Sequence, residues 1–350
     1  MRKHELAISS DYVPNWTLVD AIRELFQNAI DTGDWFYEYE DGKLTIGNKN
    51  VSLSTQSLLL GSSSKRDDDD TIGKFGEGYK IATLVLLRLN KAVMFYNQAV
   101  GEIWYPRFVN SKRYGTKVLT FFIESDTVTG DDLLITIDGV SQREFEDIKE
   151  SNLHLQDTPK MIETDLGNIL LEGHKSLVYV NGLYVCAYKE YQHGYDFKPA
   201  HIELDRDRKL VSDFELKWMA SAMWSAVSEE QASTIVELSE KNAADVRYVS
   251  SHRQPHKTLQ DTAAMKFHRQ YGDHAVPVTT QHEADIVPKA YKPIIVTESY
   301  SELIRGSSFH TDPDPLPPPK QRLRDWYEGL APDIFTEDEQ EEFEAIMEVL

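Results

Sequence analysis

Cysteine, long apolar runs and positive charge are the three features in which this sequence is poor. Its 350 residues include one cysteine, Cys186, which excludes an internal disulfide and a cysteine-based zinc cluster. No stretch approaches the roughly 18–20 apolar residues that a membrane span needs. The first residues, MRKHELAISSDY, have no apolar signal-peptide core. We therefore expect a cytoplasmic protein without a membrane partner.

Acidic residues outnumber basic ones, 58 against 37, so the formal net charge is -21. Such a surface repels nucleic-acid phosphates unless a local basic patch overrides the field, and direct nucleic-acid binding is not favoured. Composition leaves two interpretations open. The acidity keeps the protein soluble, or it engages a basic or nucleic-acid-binding protein partner.

Apolar periodicity predicts a mixed α/β fold in the first 130 residues. A helix is expected at 18–31 and a second, opened by glycines, at 78–89, with a polar loop at 61–70 between them. Strands are expected at 43–46, 92–96, 102–109 and 116–123. This order predicts an α+β two-layer sandwich with helices on one face of a sheet.

The whole chain divides into four predicted regions, at 1–130, 131–242, 243–311 and 312–350. In the second, Asn181-Gly182 predicts a tight hairpin between strands at 176–180 and 183–187. The third is expected to be a small α/β appendage. The fourth begins with a stiff proline-rich linker at 312–320 and ends in a helix that starts at the capping box Thr336–Glu339. Its apolar stripe, Phe343, Ile346, Met347 and Leu350, packs on the protein's own body or on a partner.

A row of polar residues lies on the first predicted helix. Glu24 and Asn28 are one turn apart on the same face, and Asp31 follows three residues later. Such a row is commonly a solvated helix face. The apolar residues interleaved with it, Leu25, Phe26, Ala29 and Ile30, favour a row that lines a cleft.

A glycine cluster precedes the second predicted helix. Gly73, Gly76 and Gly78 allow the backbone to approach a ligand closely, and the amides at the start of the helix would face a phosphate. The spacing is neither that of a Walker A loop nor that of a Rossmann fingerprint. A structural turn is the alternative. Further on, Gly115-Thr116 opens an alternating strand.

Taken in order, these three motifs resemble the GHKL superfamily of ATPases. That superfamily comprises the type II topoisomerase ATPase subunits, the ninety-kilodalton heat-shock chaperones, the mismatch-repair ATPases and the sensor histidine kinases. The segment IGKFGEGYKIA is most similar to the chaperone and mismatch-repair versions. The resemblance covers about residues 16–123 and implies a Bergerat-type pocket for ATP with magnesium.

The resemblance also implies roles for individual residues. Glu24 matches the general base that polarises the attacking water, and Asn28 matches the magnesium ligand. Asp31 corresponds to a position near the ribose and adenine, and Thr116 to the threonine at the base of the pocket. The phosphate-cradling segment corresponds to Gly73, Lys74, Phe75, Gly76, Glu77, Gly78 and Tyr79.

One motif departs from the family pattern. Where the family has Asp-x-Gly-x-Gly, this chain has Asn48-Lys49-Asn50-Val51-Ser52. An asparagine carbonyl can accept from the adenine amine, but a flipped amide would donate to a keto group, so base selection is expected to be less strict. Asn50 can adopt the left-handed backbone that glycine would supply.

Two further segments are assigned by the resemblance. The loop at 53–72 corresponds to the ATP lid, in which Lys65 is expected to reach a phosphate. The second region resembles, more weakly, the transducer domain of topoisomerase and mismatch-repair relatives. Those domains send a basic residue to the terminal phosphate, and Arg208 or Lys209 is the expected source. A surface charge cluster is the alternative for this segment.

These assignments imply magnesium-dependent ATP binding and slow hydrolysis that drives a conformational or dimerisation switch on a macromolecular partner. The alternative is a non-enzymatic acidic regulator or inhibitor of a host protein machine that binds nucleotide or only a protein partner. A histidine kinase is disfavoured. His4-Glu5 superficially resembles a phosphoacceptor box, but it lies only 20 residues before Glu24, with no dimerisation helices between them.

Overall fold

The computed structural model describes residues 1–58, 78–125, 130–202, 212–252, 257–330 and 334–349. The chain forms two compact units. Unit 1 comprises Met1–Lys189 and His193–Val211, and unit 2 comprises Glu190–Gln192 and Ser212–Leu350. The finer division into four regions stays a prediction.

Unit 1 begins with a seven-stranded sheet in which every neighbouring pair is antiparallel. Its strands, in chain order, are β1 (Arg2–Ser9), β2 (Trp35–Glu40), β3 (Lys43–Asn48), β4 (Ala92–Asn97), β5 (Glu102–Asn110), β6 (Lys117–Ser125) and β7 (Leu133–Asp138). The spatial order is β1-β6-β5-β4-β7-β3-β2. Strands β1 and β2, which the sequence did not predict, form the two edges.

Three helices pack on one face of this sheet: α1 (Leu18–Thr32), α2 (Gly78–Arg88) and α3 (Gln142–Glu150). A capping box begins α1, because Thr17 accepts from the Asp20 amide and Asp20 accepts from the Thr17 amide. Apolar side chains of all three helices share one buried cluster with alternating residues of the strands. The predicted α+β sandwich is therefore confirmed.

A second, five-stranded sheet completes unit 1. Its strands are β8 (Met161–Thr164), β9 (Gly167–Leu170), β10 (Leu177–Val180), β11 (Leu183–Ala187) and β12 (Gly194–Phe197), in the spatial order β11-β10-β12-β9-β8. The predicted hairpin at Asn181-Gly182 is confirmed. Both residues have positive φ, 49° and 75°, as a two-residue turn of type I′ requires.

Unit 2 is mainly helical. Its helices are α4 (Asp213–Ala226), α5 (Ala232–Glu240), α6 (Lys257–Tyr271), α7 (Gln281–Asp285), α8 (Glu298–Arg305), α9 (Pro319–Glu328) and α10 (Glu337–Val349). A parallel pair of strands, β13 (Ala275–Val278) and β14 (Lys292–Ile295), is connected through α7. Within the described ranges no helix is both long and apolar enough to cross a membrane.

The C-terminal segment differs from the prediction. The Thr336–Glu339 capping box forms, but the expected linker gives way to α9 at Pro319. Proline suits the first turn of a helix because the amide it lacks has no intrahelical partner there.

The predicted apolar stripe of α10 is packed only in part. Phe343 stacks on Tyr327 of α9 with ring centroids 3.7 Å apart, and Met347 is buried, whereas Ile346 is 51% exposed. Phe343 therefore packs on α9, whereas Ile346 of the same stripe is exposed. Leu350 lies outside the described residues.

Candidate functional site

Helix α1 carries the polar row that the sequence predicted. Its apolar residues Ile22, Leu25 and Phe26 are buried in the core against the sheet and α2. Glu24 is also buried, with 2% of its surface exposed, while Asn28 and Asp31 are half-buried. A buried carboxylate one turn before a half-buried amide is unlike a solvated helix face, where charged side chains are exposed.

The first residue of α2 lies directly against this row. A Cβ added to Gly78 would stand 2.6 Å from Glu24 Oε2 and 3.2 Å from Asn28 Nδ2. A side chain at this position would therefore require the Glu24 carboxylate or the start of α2 to shift. The amides at the start of α2 thus lie next to Glu24 and Asn28, and a helix N-terminus favours negative charge.

Asn28 carries an amide oxygen, a type of donor that hard cations accept. Its Nδ2 donates to the Glu24 carbonyl at 2.7 Å, which directs the amide nitrogen toward the backbone of α1. The Oδ1 atom is the end of the amide that accepts. Magnesium takes oxygen ligands and is usually held by one or two protein groups together with substrate phosphates. The residues present therefore fit a magnesium ion carried by a nucleotide.

Arg23 is a buried cation beside the site, and it was not predicted from the sequence. Its Nη1 donates to the Tyr184 carbonyl of β11 at 3.3 Å and lies 3.8 Å from Asp20 Oδ1, while Nη2 is 3.9 Å from Glu24 Oε1. The side chain is 6% exposed. The signal available in the sequence was an arginine between apolar positions of α1.

Asn48, the last residue of β3, is fixed by the end of α1. Its Nδ2 donates to the Ala29 carbonyl at 2.8 Å and to the Gly33 carbonyl at 2.9 Å. A flipped amide would place Oδ1 against two carbonyl oxygens, so the amide cannot offer either polarity as the sequence interpretation supposed. Asn48 presents Oδ1, an acceptor. Asn50 adopts the left-handed backbone, with φ of 54°, and its amide donates to Asp132.

The first turn of α2 holds the segment that follows β3. Tyr79 shares a 2.9 Å hydrogen bond with Ser57 Oγ, and burial raises the pKa of its hydroxyl. Lys80, fully buried, donates from Nζ to the Ser57 carbonyl at 2.9 Å. Asn97 pairs with both backbone groups of Leu53. The predicted lid is therefore attached to the body at residues 53–57. Sequence reasoning missed Lys80, which lies within an apolar helix.

The hydrogen bonds described above do not involve Thr116. It is exposed, in the turn between β5 and β6, and its carbonyl accepts from the Ser111 amide at 2.9 Å. His4 is a residue of β1 and pairs with Phe121 of β6, so it is part of the sheet. The remaining predicted site residues lie outside the described residues: Lys65, Gly73, Lys74, Phe75, Gly76, Glu77, Arg208 and Lys209.

Comparison with known proteins gives partial likenesses. No family model matches the chain. An uncharacterized protein of Mycoplasma pneumoniae is 27% identical over 228 residues, which covers 61% of this chain and 92% of the relative. The ATPase region of Saccharomyces cerevisiae topoisomerase II is similar over 52% of this chain and 69% of its own, with 11% identity and a TM-score of 0.32. The ATPase and transducer domains of Balamuthia mandrillaris DNA topoisomerase II give 14% identity and a TM-score of 0.28, over 52% of this chain and 66% of theirs.

Proposed function

We propose that this chain binds ATP with magnesium where α1 meets the start of α2, and hydrolyses it slowly. One observation carries the proposal: the Glu24 carboxylate, the Asn28 amide and the N-terminus of α2 at Gly78 lie within contact distance. Phosphoryl transfer needs a positioned water, a cation and donors for the phosphate oxygens, and little else from the protein. Each of these needs has a matching group here.

In this proposal each residue has one task. Asn28 Oδ1 would hold the magnesium ion, which when bound would offset the charge of the phosphates. The amides at the start of α2 donate to phosphate oxygens. Glu24 accepts a hydrogen bond from the attacking water, and Arg23 lies beside that carboxylate. Lys65, the segment 73–77 and Arg208 or Lys209 are proposed as further phosphate contacts.

Adenine selection is assigned to Asn48. Its amide nitrogen is occupied by Ala29 and Gly33, so the acceptor Oδ1 is the end available to a base. An acceptor at this position rewards an amine and penalises a keto group. Asp31 and Thr116 are kept as proposed neighbours of the ribose and base. In this proposal, binding and hydrolysis of ATP drive a conformational or dimerisation switch that acts on a protein partner.

One observation favours a second function, a nucleotide-binding regulator that does not hydrolyse. The Glu24 side chain is 3% exposed, which leaves little room for a water beside it. In this second function Glu24 supports the fold and nucleotide binding alone controls the partner.

Calorimetric titration with a non-hydrolysable ATP analogue, with and without magnesium, tests the binding site. Asn28→Ala is expected to abolish the magnesium-dependent part of the affinity because the cation loses its ligand. Thr32→Ala is a matched control, since Thr32 makes the same kind of bond, from its side chain to the carbonyl of Asn28, four residues earlier on α1. Equal affinity for Asn28→Ala and wild type would refute the magnesium assignment.

Turnover separates the two functions. Glu24→Gln preserves the shape of the side chain, and we expect it to bind the analogue normally. Loss of a general base typically lowers the rate about 10²–10⁴-fold. A wild type without phosphate release, but with normal binding, would support the regulator. A Glu24→Gln variant that binds poorly would show that Glu24 is structural.

A further inference from the structure

The β5–β6 hairpin carries positive charge in a chain whose net charge is -21. Between Glu102 and Glu124 the sequence has no acidic residue. Four basic side chains occur there, all of them exposed: Arg107, Lys112, Arg113 and Lys117. These four residues are called the basic hairpin below. Lys3, exposed on the neighbouring strand β1, adds a fifth charge.

Hydrogen bonds fix the turn of the basic hairpin. Ser111 is buried, and its Oγ accepts from the amides of Arg113 and Tyr114 at 3.2 and 3.3 Å. Its backbone bonds to Gly115 and Thr116 at 2.9 Å each. Gly115 has φ of 68°, a conformation that favours glycine. The positive side chains are therefore presented by a defined turn, which lowers the entropic cost of binding.

Two acidic residues on or just after β1, Glu5 and Asp11, are engaged in hydrogen bonds. Glu5 of β1 accepts from Lys3 Nζ at 2.6 Å and from Ser111 Oγ at 2.8 Å, and these two bonds hold the pKa of its carboxyl below the ordinary value. Asp11 follows β1 and accepts from Ser10. Over β1, the residues that follow it to Tyr12, and β5 and β6 with their turn, six basic residues stand against four acidic ones. The screening length is about 8 Å at physiological ionic strength, so this local excess outweighs the acidity of more distant surfaces.

An aromatic side chain lies among these charges. Tyr114 is 40% exposed, and the Arg113 guanidinium carbon lies 5.3 Å from the centre of its ring. Cationic side chains combined with exposed aromatic rings bind unpaired nucleotides, because the cations contact phosphates and the rings stack on bases. The ring and the charges occur together on one turn.

We propose that the basic hairpin binds single-stranded nucleic acid, with its cations on the phosphodiester backbone and Tyr114 against a base. Thr116, a proposed neighbour of the base in the ATP site, lies in the turn of this hairpin, but neither Tyr114 nor any of the four basic residues is proposed to bind ATP. The acidic composition argues against nucleic-acid binding unless a local basic patch is present, and the basic hairpin is such a patch.

Fluorescence anisotropy of the full chain with labelled 20-nucleotide single strands of DNA and RNA, and with the matching duplex, tests this proposal. For three or four phosphate contacts to a single strand, affinity should fall roughly 20–50-fold between 50 and 200 mM salt. Lys112→Glu/Arg113→Glu should weaken single-strand binding at least about tenfold, and Tyr114→Ala roughly tenfold.

The matched control is Lys43→Glu/Lys160→Glu, which makes the same change in net charge at two exposed lysines of unit 1. It should leave affinity nearly unchanged. Equal losses in both double variants, no binding of single strands at 50 mM salt, or preference for the duplex would overturn the proposal. So would binding of phosphatidylserine vesicles in place of oligonucleotides. Titration of each variant with the ATP analogue keeps this result distinct from the proposed ATP site.

Discussion

Replacing Gly78 with alanine tests the contact between α1 and α2 most directly. The new Cβ would stand 2.6 Å from Glu24 Oε2, whereas carbon and oxygen in van der Waals contact are at least 3.4 Å apart in ordinary packing. The carboxylate cannot retreat into solvent because its side chain is 3% exposed and lies beside Arg23. Gly78→Ala must therefore displace Glu24 or the start of α2.

Two effects of opposite sign set the magnitude. Alanine is favoured over glycine within a helix by about 1 kcal/mol, and less at the first position. Overpacking in a tight region costs about 1–3 kcal/mol. The net expectation is a free energy of unfolding lowered by about 1–2 kcal/mol. In a Glu24→Ala background the colliding oxygen is absent, so the same substitution should be neutral or stabilising.

Hydrogen exchange of the α1 and α2 amides, followed by mass spectrometry, measures this cost within unit 1. The difference between the two backgrounds is expected to be about 1–3 kcal/mol, the range found for residues in contact. An Asn28→Ala background is the matched comparison, since Asn28 Nδ2 is 3.2 Å from the added Cβ and should couple less. An equal cost of Gly78→Ala in all three backgrounds would refute the geometry on which the proposed site depends.

Two further predictions concern single polar groups. Asn48→Asp removes two donated hydrogen bonds and sets a carboxylate against two carbonyls. In a urea titration the variant should be less stable than wild type by about 2–4 kcal/mol at neutral pH. This loss of stability should shrink as the pH falls, because the carboxylate becomes protonated. Asp196 accepts from the Gly182 amide, and burial raises its pKa, so its unfavourable ionisation lowers stability as pH rises above about 3.9. Asp196→Asn should abolish this loss of stability with rising pH, whereas the exposed control Asp165→Asn should retain it. Identical profiles of stability against pH for the two variants would contradict the assignment to Asp196.

The sequence predicted those parts of the fold that depend on local patterns. Helix α1 has a strong 3.6-residue period, and Asn181-Gly182 encodes its turn through backbone preference alone. Strand β2 was missed because its segment, WFYEYE, gains its place by pairing with β3. The partner of Phe343 on α10 was not predicted because Tyr327 of α9 follows a proline run that was interpreted as a linker.

The polar row on α1 and the glycine at the start of α2 could be predicted from the sequence. The buried cations beside them could not. Arg23 and Lys80 are buried because backbone carbonyls at Tyr184 and Ser57 accept their hydrogen bonds. Those acceptors lie 161 and 23 residues away in the chain. No local period reports such a pairing, because it arises from how separate elements meet in space.

Helix α1 is attached to the rest of unit 1 at two places. In its second turn Arg23 bonds to β11 of the second sheet, and at its C-terminal end Asn48 of β3 bonds to the carbonyls of Ala29 and Gly33. A continuous helix of 15 residues is about 22 Å long and moves as a stiff rod. A rotation that shifts Glu24 relative to Gly78 must therefore strain one attachment or the other. Helix α1 thus connects the two sheets of unit 1, and the proposed catalytic carboxylate lies on this helix.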